Sequence, residues 1–261
     1  MSVPSGEQHE LVLGDQRAVV VEVGAGLREY AVGGRDVVLG YGLDEMCGSA
    51  RGAVLMPWPN RIAEARYEWE GEAHQLPVTE VSSGSAIHGL VRWASWSAVE
   101  REPARVAMEH VLHPQPGYPF SLRLRVEYRL EKRGLVVRTE AENVGDRDCP
   151  FGAGHHPYLV APSGRVDDLV VDGEPIGGRR LDDTTHRPGG WRIELPGATV
   201  WADEKWPYVL LFTGDLPDIR RRGLAVEPMT CPPQAFRTGE ALLRLSPGDR
   251  FAGEWGIDAN A

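Results

Sequence analysis

The stretch Leu122-Arg123-Leu124-Arg125-Val126-Glu127-Tyr128-Arg129-Leu130-Glu131, followed by Lys132-Arg133-Gly134-Leu135, decides the fold. Apolar residues take the even positions from 122 to 130 and charged residues the odd ones. Successive side chains of an extended strand point to opposite faces, so this pattern predicts a strand with one buried and one wet face. Lys132, Arg133 and Gly134 supply a turn, after which Leu135, Val137 and Thr139 resume the alternation, and the pair reads as an antiparallel hairpin. A smaller hairpin is expected upstream, where Tyr67 and Trp69 alternate with charged neighbours, turn at Glu70-Gly71 and return through His74 and Leu76.

Working outward, residues 11–13, 18–23, 29–32 and 37–39 are short β-prone runs, separated by Gly14-Asp15, by glycines at 24 and 26, and by Gly33-Gly34. Runs at 209–213 and 224–226 continue the theme. Turn signals roughly every eight to twelve residues belong to a sandwich or barrel rather than to alternating βα units. No capped amphipathic stretch of helical length interrupts them. The expected fold is all-β, a large antiparallel β-sandwich. With no linker, repeat or low-complexity segment, residues 1–261 are expected to form one domain.

Composition narrows the function classes. Lys and Arg number 28 against 38 Asp and Glu, a net charge of −10, which argues against a nucleic-acid partner. The run Arg220-Arg221-Arg222 is expected to be a solvated loop. Nothing approaches the ~20 apolar residues of a membrane helix, and the opening residues from Met1 lack the charged leader and apolar stretch of a signal peptide. Cys47, Cys149 and Cys231 are odd in number and widely spaced, so a reducing cytoplasm is the expected setting. The 31 Gly and 20 Pro give many chain reversals, and the 8 Trp suit β architectures and carbohydrate sites.

Four segments concentrate reactive groups: Pro57-Trp58-Pro59-Asn60-Arg61, Ala86-Ile87-His88-Gly89, Gly154-His155-His156-Pro157-Tyr158 and Val226-Glu227-Pro228-Met229-Thr230. They form an acid and base inventory without a nucleophile. Histidine titrates near pH 6.5, and a carboxylate among apolar neighbours is raised into a basic range. His88 before a glycine also reads as a turn residue. Of the adjacent His155 and His156, only one can face a given pocket if they lie on a strand. Glu227, after Leu224, Ala225 and Val226, reads as a buried carboxylate with a purpose or as the partner of an arginine. A metal centre is not expected, because no His-x-His pair occurs and adjacent histidines on one strand cannot reach one ion.

In content and order these segments resemble the aldose 1-epimerase family, which includes the galactose mutarotases. The resemblance runs from about Pro57 to the C-terminus, through Pro59-Asn60-Arg61, His88-Gly89-Leu90, His155-His156-Pro157-Tyr158, and Val226 to Thr230, to a closing Trp255-Gly256-Ile257 strand. It implies a galactose mutarotase-like supersandwich and a cofactor-independent isomerase that interconverts the α and β anomers of a free aldose in hexose metabolism. The implied partner is a monosaccharide and the implied state a monomer or homodimer. Carried over by position, Glu227 is the general base and His156 the general acid, with His155 the alternative if the register shifts by one. His88 takes part in catalysis through the ring or C1 oxygens, and Arg61 contacts hydroxyls. Asp182, in Leu181-Asp182-Asp183-Thr184-Thr185, binds the sugar, with Asp183 the alternative, because Thr185 stands where the family has an aromatic. Three rivals stay open: a hexose-phosphate mutarotase with Arg92 on the phosphate, a non-catalytic carbohydrate-binding protein with the same cleft, and a glycoside hydrolase pairing Glu227 with Asp182.

Overall fold

The alternating stretch becomes two long strands, Leu122–Glu131 and Gly134–Asn143, paired antiparallel with Leu130 opposite Leu135 and Leu122 opposite Asn143. In the computed structural model, which describes residues 3–259, they sit near the middle of a seven-stranded antiparallel sheet. Its order is Ser97–Glu102, Arg105–Leu112, Leu122–Glu131, Gly134–Asn143, Arg250–Ala259, Ala198–Ala202 and Trp191–Leu195. Leu122, Leu124, Val126 and Tyr128 are fully buried on one face. The charged positions between them form a ladder of ion pairs on the other, including Arg105–Glu127 at 2.6 Å, Arg125–Glu109 at 2.8 Å and Arg129–Glu254 at 3.0 Å. Partly exposed pairs of this kind contribute little each, so the buried face sets the register.

A second sheet has the order Asp182–His186, Tyr208–Phe212, Gly223–Met229, Gly154–His155 and Val54–Leu55, and Tyr158–Val160 also pairs with Gly223–Met229. One hydrophobic cluster joins the sheets, taking Leu124, Val126 and Trp255 from the first and Leu224 and Val226 from the second. A four-stranded N-terminal sheet, Gln8–Leu13, Gln16–Val21, Leu27–Val32 and Arg35–Asp36, adds to the same core. It is tied to the long hairpin by the Tyr128 hydroxyl, which donates to Ala25 O at 2.7 Å, and by Gln16 Nε2, which donates to Glu131 O at 2.7 Å. The all-β antiparallel expectation holds. The only α-helix among the described residues is Ala235–Thr238, and no helix is long and apolar enough to cross a membrane. Of the chain start read for a leader, Met1 and Ser2 lie outside the described residues.

Three expectations need correction. Residues 37–39 are not a strand: Val38 makes a single bridge to Leu159 as the chain leaves the N-terminal sheet. The run 220–222 is more than solvated charge. Arg221 bridges Asp167 at 2.6 Å and Asp215 at 2.8 Å, while Arg220 and Arg222 donate to the carbonyls of Pro217 and Ile219. Most of the tryptophans serve the core: Trp58, Trp96, Trp206 and Trp255 are among the largest fully buried side chains, whereas Trp93 is exposed.

Candidate active site

The second sheet carries the site on the face turned away from the core. Along Gly223–Met229, Leu224 and Val226 enter the inter-sheet core, so Glu227 between Val226 and Pro228 points outward with Ala225 and Met229. The next strand sets Leu210 opposite Glu227 and Phe212 opposite Ala225, and the edge strand sets Asp182 opposite Phe212. Asp183 pairs with Leu211, which packs against the core, and so belongs to the other side of that strand.

The two histidines divide as alternation requires. His155 turns into the core, where its Nε2 lies 2.7 Å from Thr139 Oγ1 and its ring packs against Trp206 and Trp255. His156 turns outward, and its Nε2 comes within 3.2 Å of Glu227 Oε1. The His156 ring stacks on Tyr158 with centroids 4.9 Å apart and meets the edge of His88 at 5.3 Å.

His88 arrives from a loop stitched to the Asn60-Arg61 segment. Its backbone is left-handed at φ 61°, its N–H donates to Asn60 O at 2.9 Å, and the Leu90 N–H donates to Met56 O at 2.8 Å. Between them Gly89 has φ 71°, and a Cβ there would lie 2.0 Å from Met56 O. Gly89→Ala should therefore destabilise the protein by roughly 2–5 kcal/mol, from combined backbone strain and overpacking. Gly84→Ala, at φ 67° with no atom nearby, should cost only about 1 kcal/mol. Denaturant titration of the two variants checks this, and equal losses would contradict it.

Arg61 is held by a carboxylate that sequence reading did not single out. Its Nε and Nη2 donate to Glu80 Oε2 and Oε1 at 2.6 and 2.8 Å, and Glu80 also accepts from the Ser83 hydroxyl. The fork raises the guanidinium's pKa and lowers that of Glu80, so both stay charged. The one available signal was that a cation in a sugar site needs an anchor, and Glu80 heads the polar loop that follows.

These residues enclose a cavity of about 260 Å³. Glu227, His156, His88, Arg61 and Asp182 all line it, with Arg92, Tyr158 and Phe212. It is smaller than drug-sized pockets of roughly 300–1,000 Å³ and suits one sugar ring. None of the eight tryptophans lines it, so the aromatic surface comes from Tyr158 and Phe212. Of the loop-like segments, 56–60 and 80–87 contribute to it and 186–190 does not. A groove of about 600 Å³ along Arg66–Trp69 and Glu72–Gln75 carries Glu64, Arg66, Glu68 and Arg237 among its lining residues, and Arg237 pairs with Glu64 at 3.5 Å. Among the described residues no group of three or more His, Cys, Asp or Glu could hold a metal ion.

Burial sets the electrostatics. The side chains of His156 and Glu227 are 5% and 2% exposed. Desolvation pushes Glu227 well above the usual carboxylate range; the Asp182 charge adds to this, and Arg61 opposes it. Desolvation pushes His156 down, and does the same to His88, where His156, Arg92 and Arg61 add repulsion. Burial therefore disfavours the charged form of both members of the pair. Among the described residues Glu227 has no arginine partner; the ionisable group against it is His156, because Arg61 is engaged by Glu80. Glu227 Oε2 and His88 Nδ1 have no hydrogen-bond partner within the described protein, which is costly for buried polar atoms outside a binding site.

Comparison with known proteins places the chain in a family. The aldose 1-epimerase family model matches residues 9–172, a span that holds Arg61, His88 and His156, with Asp182 and Glu227 beyond it. The chain is 33% identical over 282 aligned residues to the uncharacterized protein YihR of Escherichia coli K12, covering 94% of this chain and 90% of that one. Among solved structures, the GalM/aldose epimerase homologue from C. elegans superposes with a TM-score of 0.82 at 17% identity, covering 98% of this chain and 99% of that one. Galactose 1-epimerase from Lactobacillus acidophilus NCFM superposes with a TM-score of 0.75 at 15% identity, covering 95% and 92%. Both likenesses speak for a galactose mutarotase-like fold.

Proposed function

The chain belongs to the aldose 1-epimerase family, and from that premise we propose that it interconverts the α and β anomers of an aldose, with Glu227 and His156 moving the protons. The observation that carries this reading is the 3.2 Å approach of His156 Nε2 to Glu227 Oε1 on the floor of a ring-sized cleft. Proton transfer needs an acid and a base within hydrogen-bond reach of the reacting atoms, and two adjacent buried groups lining one cleft meet that condition.

In the reacting form a proton sits on His156 and Glu227 is a carboxylate. Glu227 takes the proton of the C1 hydroxyl as the oxygen's electron pair forms the C1 carbonyl. The C1–O5 bond breaks, its electron pair goes to O5, and His156 protonates that oxygen. Rotation about C1–C2 presents the other carbonyl face. Ring closure reverses both transfers and restores the pair. Atoms and electrons balance without a cofactor. His88, held neutral, offers a hydrogen bond to the oxygens where charge develops, and the Arg61 fork orients neighbouring hydroxyls.

Two measurements bear on this. A freshly dissolved α-aldose should mutarotate faster with enzyme than without, read by polarimetry, whereas a binding protein would leave the spontaneous rate unchanged and a hydrolase would instead cleave aryl glycosides. Glu80→Gln removes the anchor of Arg61 and should raise KM several-fold, by about 1 kcal/mol of lost orientation, with a smaller change in kcat. A fall in kcat at constant KM would contradict the positioning role of Glu80.

A further inference from the structure

An imidazole that works through one ring nitrogen is ordinarily turned to its task by a carboxylate or carbonyl on the other. His156 has no such orienter. Its Nε2 faces Glu227, while its Nδ1 is buried and meets no hydrogen-bond partner in any other described residue. The ring is therefore held by packing.

Two residues further on, Tyr158 lays its ring nearly parallel to the imidazole, at 22° with centroids 4.9 Å apart, whereas His88 meets it edge-on at 78°. Tyr158 is itself held at both ends. Its backbone pairs with Ala225 on the strand that carries Glu227, and its hydroxyl donates to Ser49 O at 3.3 Å.

The loop of Ser49 holds the imidazole's backbone too: the Gly52 N–H donates to His156 O at 2.9 Å, and the His156 N–H donates to Ala53 O at 3.1 Å. Ser49 and Ala50 are left-handed, at φ 51° and 54°, a conformation that such residues keep only where the surroundings impose it. A second loop, whose Leu216 lines the cleft beside Ser49, supplies the constraint. The Ser49 hydroxyl donates to the Asp218 carboxylate at 2.6 Å, and a Cβ on Gly48 would lie 2.6 Å from that carboxylate. Ile219, next to Asp218, packs in one cluster with Tyr158. Asp218 itself is exposed and lies outside the cleft lining.

Resting on the epimerase reading, we propose that Tyr158 is the positioning residue of the acid His156, and that the Ser49–Asp218 latch keeps its ring in place. The stack fixes the imidazole plane and with it the direction of Nε2. A misdirected proton is transferred slowly even when the sugar is bound, so the loss falls on kcat rather than on KM.

The test follows anomer exchange of glucose and galactose by NMR in the full chain, for the wild type, Tyr158→Leu, Tyr158→Phe, Asp218→Ala and Asp218→Asn. The ring-proton shifts of His156, displaced by the Tyr158 ring current, are read on the same samples. Rates are taken per folded molecule, because Tyr158→Leu also loses core packing. Tyr158→Leu should lower kcat by about 10-fold or more with KM little changed. Tyr158→Phe keeps the stack and should lose no more than about 3-fold, the share of one neutral hydrogen bond. Asp218→Ala should lower kcat several-fold and shrink the displacement of the His156 signals, and Asp218→Asn, which still accepts from Ser49, should restore both. Wild-type kcat in Tyr158→Leu, or His156 shifts unmoved by Asp218→Ala, would overturn the proposal and leave the epimerase reading intact. A wild type that exchanges neither sugar would overturn the epimerase reading for these sugars, whereas His156 shifts displaced in it and relaxed in Asp218→Ala would still uphold the stack.

Discussion

Glu227→Gln is expected to slow anomer exchange by about 10²- to 10⁴-fold, the contribution of a positioned acid or base, while making the folded protein more stable at neutral and alkaline pH. The two effects share a cause. Burial holds the Glu227 pKa well above its value of 4.5 in an unfolded chain. Stability from a raised pKa is fully present below the unfolded value and is lost as pH rises through the window up to the folded one. Glutamine keeps the shape and cannot ionise, so the variant escapes that loss. His156 has the opposite shift, with its pKa depressed by burial, and its contribution is lost as pH falls; it is present in both proteins and largely cancels in the comparison. Thermal melts at pH 5 and pH 8 read the difference: the variant's advantage should be small at the lower pH and larger at the higher. A variant that loses stability as steeply as the wild type between those values would contradict the buried-carboxylate account.

The second large effect separates neighbours in the chain. His156→Gln should lower exchange by about 10²-fold or more with little loss of fold. His155→Ala should destabilise by roughly 2–4 kcal/mol, because it leaves a cavity between Trp206 and Trp255 and strands the Thr139 hydroxyl. What remains folded should exchange anomers near the wild-type rate. Denaturant midpoints and rates on the same samples decide it. The reverse pattern would make His155 the acid and shift the motif by one residue.

These cases show what a sequence can carry. The alternation at 122–130 was legible because one wet face imposes period two. Ala18, Val19, Val20 and Val21 are all buried, so their strand reads as a plain apolar run with blurred ends. Residues 37–39 have the same β-prone composition but only one bridge, since partner strands, not propensity, make a strand. That His155 and His156 face opposite ways followed from strand geometry, but which one met Glu227 depended on where Leu224 and Val226 packed. Asp182 and Asp183 were likewise separated only by the register with Phe212 and Leu211. Glu80 was silent because its partner Arg61 lies 19 residues away and a loop carboxylate has no periodicity to announce it. The tryptophan count suited β architectures as well as carbohydrate sites, and large apolar volume at the core was the stronger demand.

In the proposed reaction Glu227 and His156 act as one acid–base unit at the anomeric carbon. NMR exchange spectroscopy on a C1-labelled aldose, comparing Glu227→Gln, His156→Gln and the double variant, tests it most directly. Groups that work as a unit are strongly non-additive. The account predicts that each single variant is slowed by about 10²-fold or more and that the double variant is hardly slower than the worse single. Losses that multiply, or a single variant that exchanges at the wild-type rate, would contradict it.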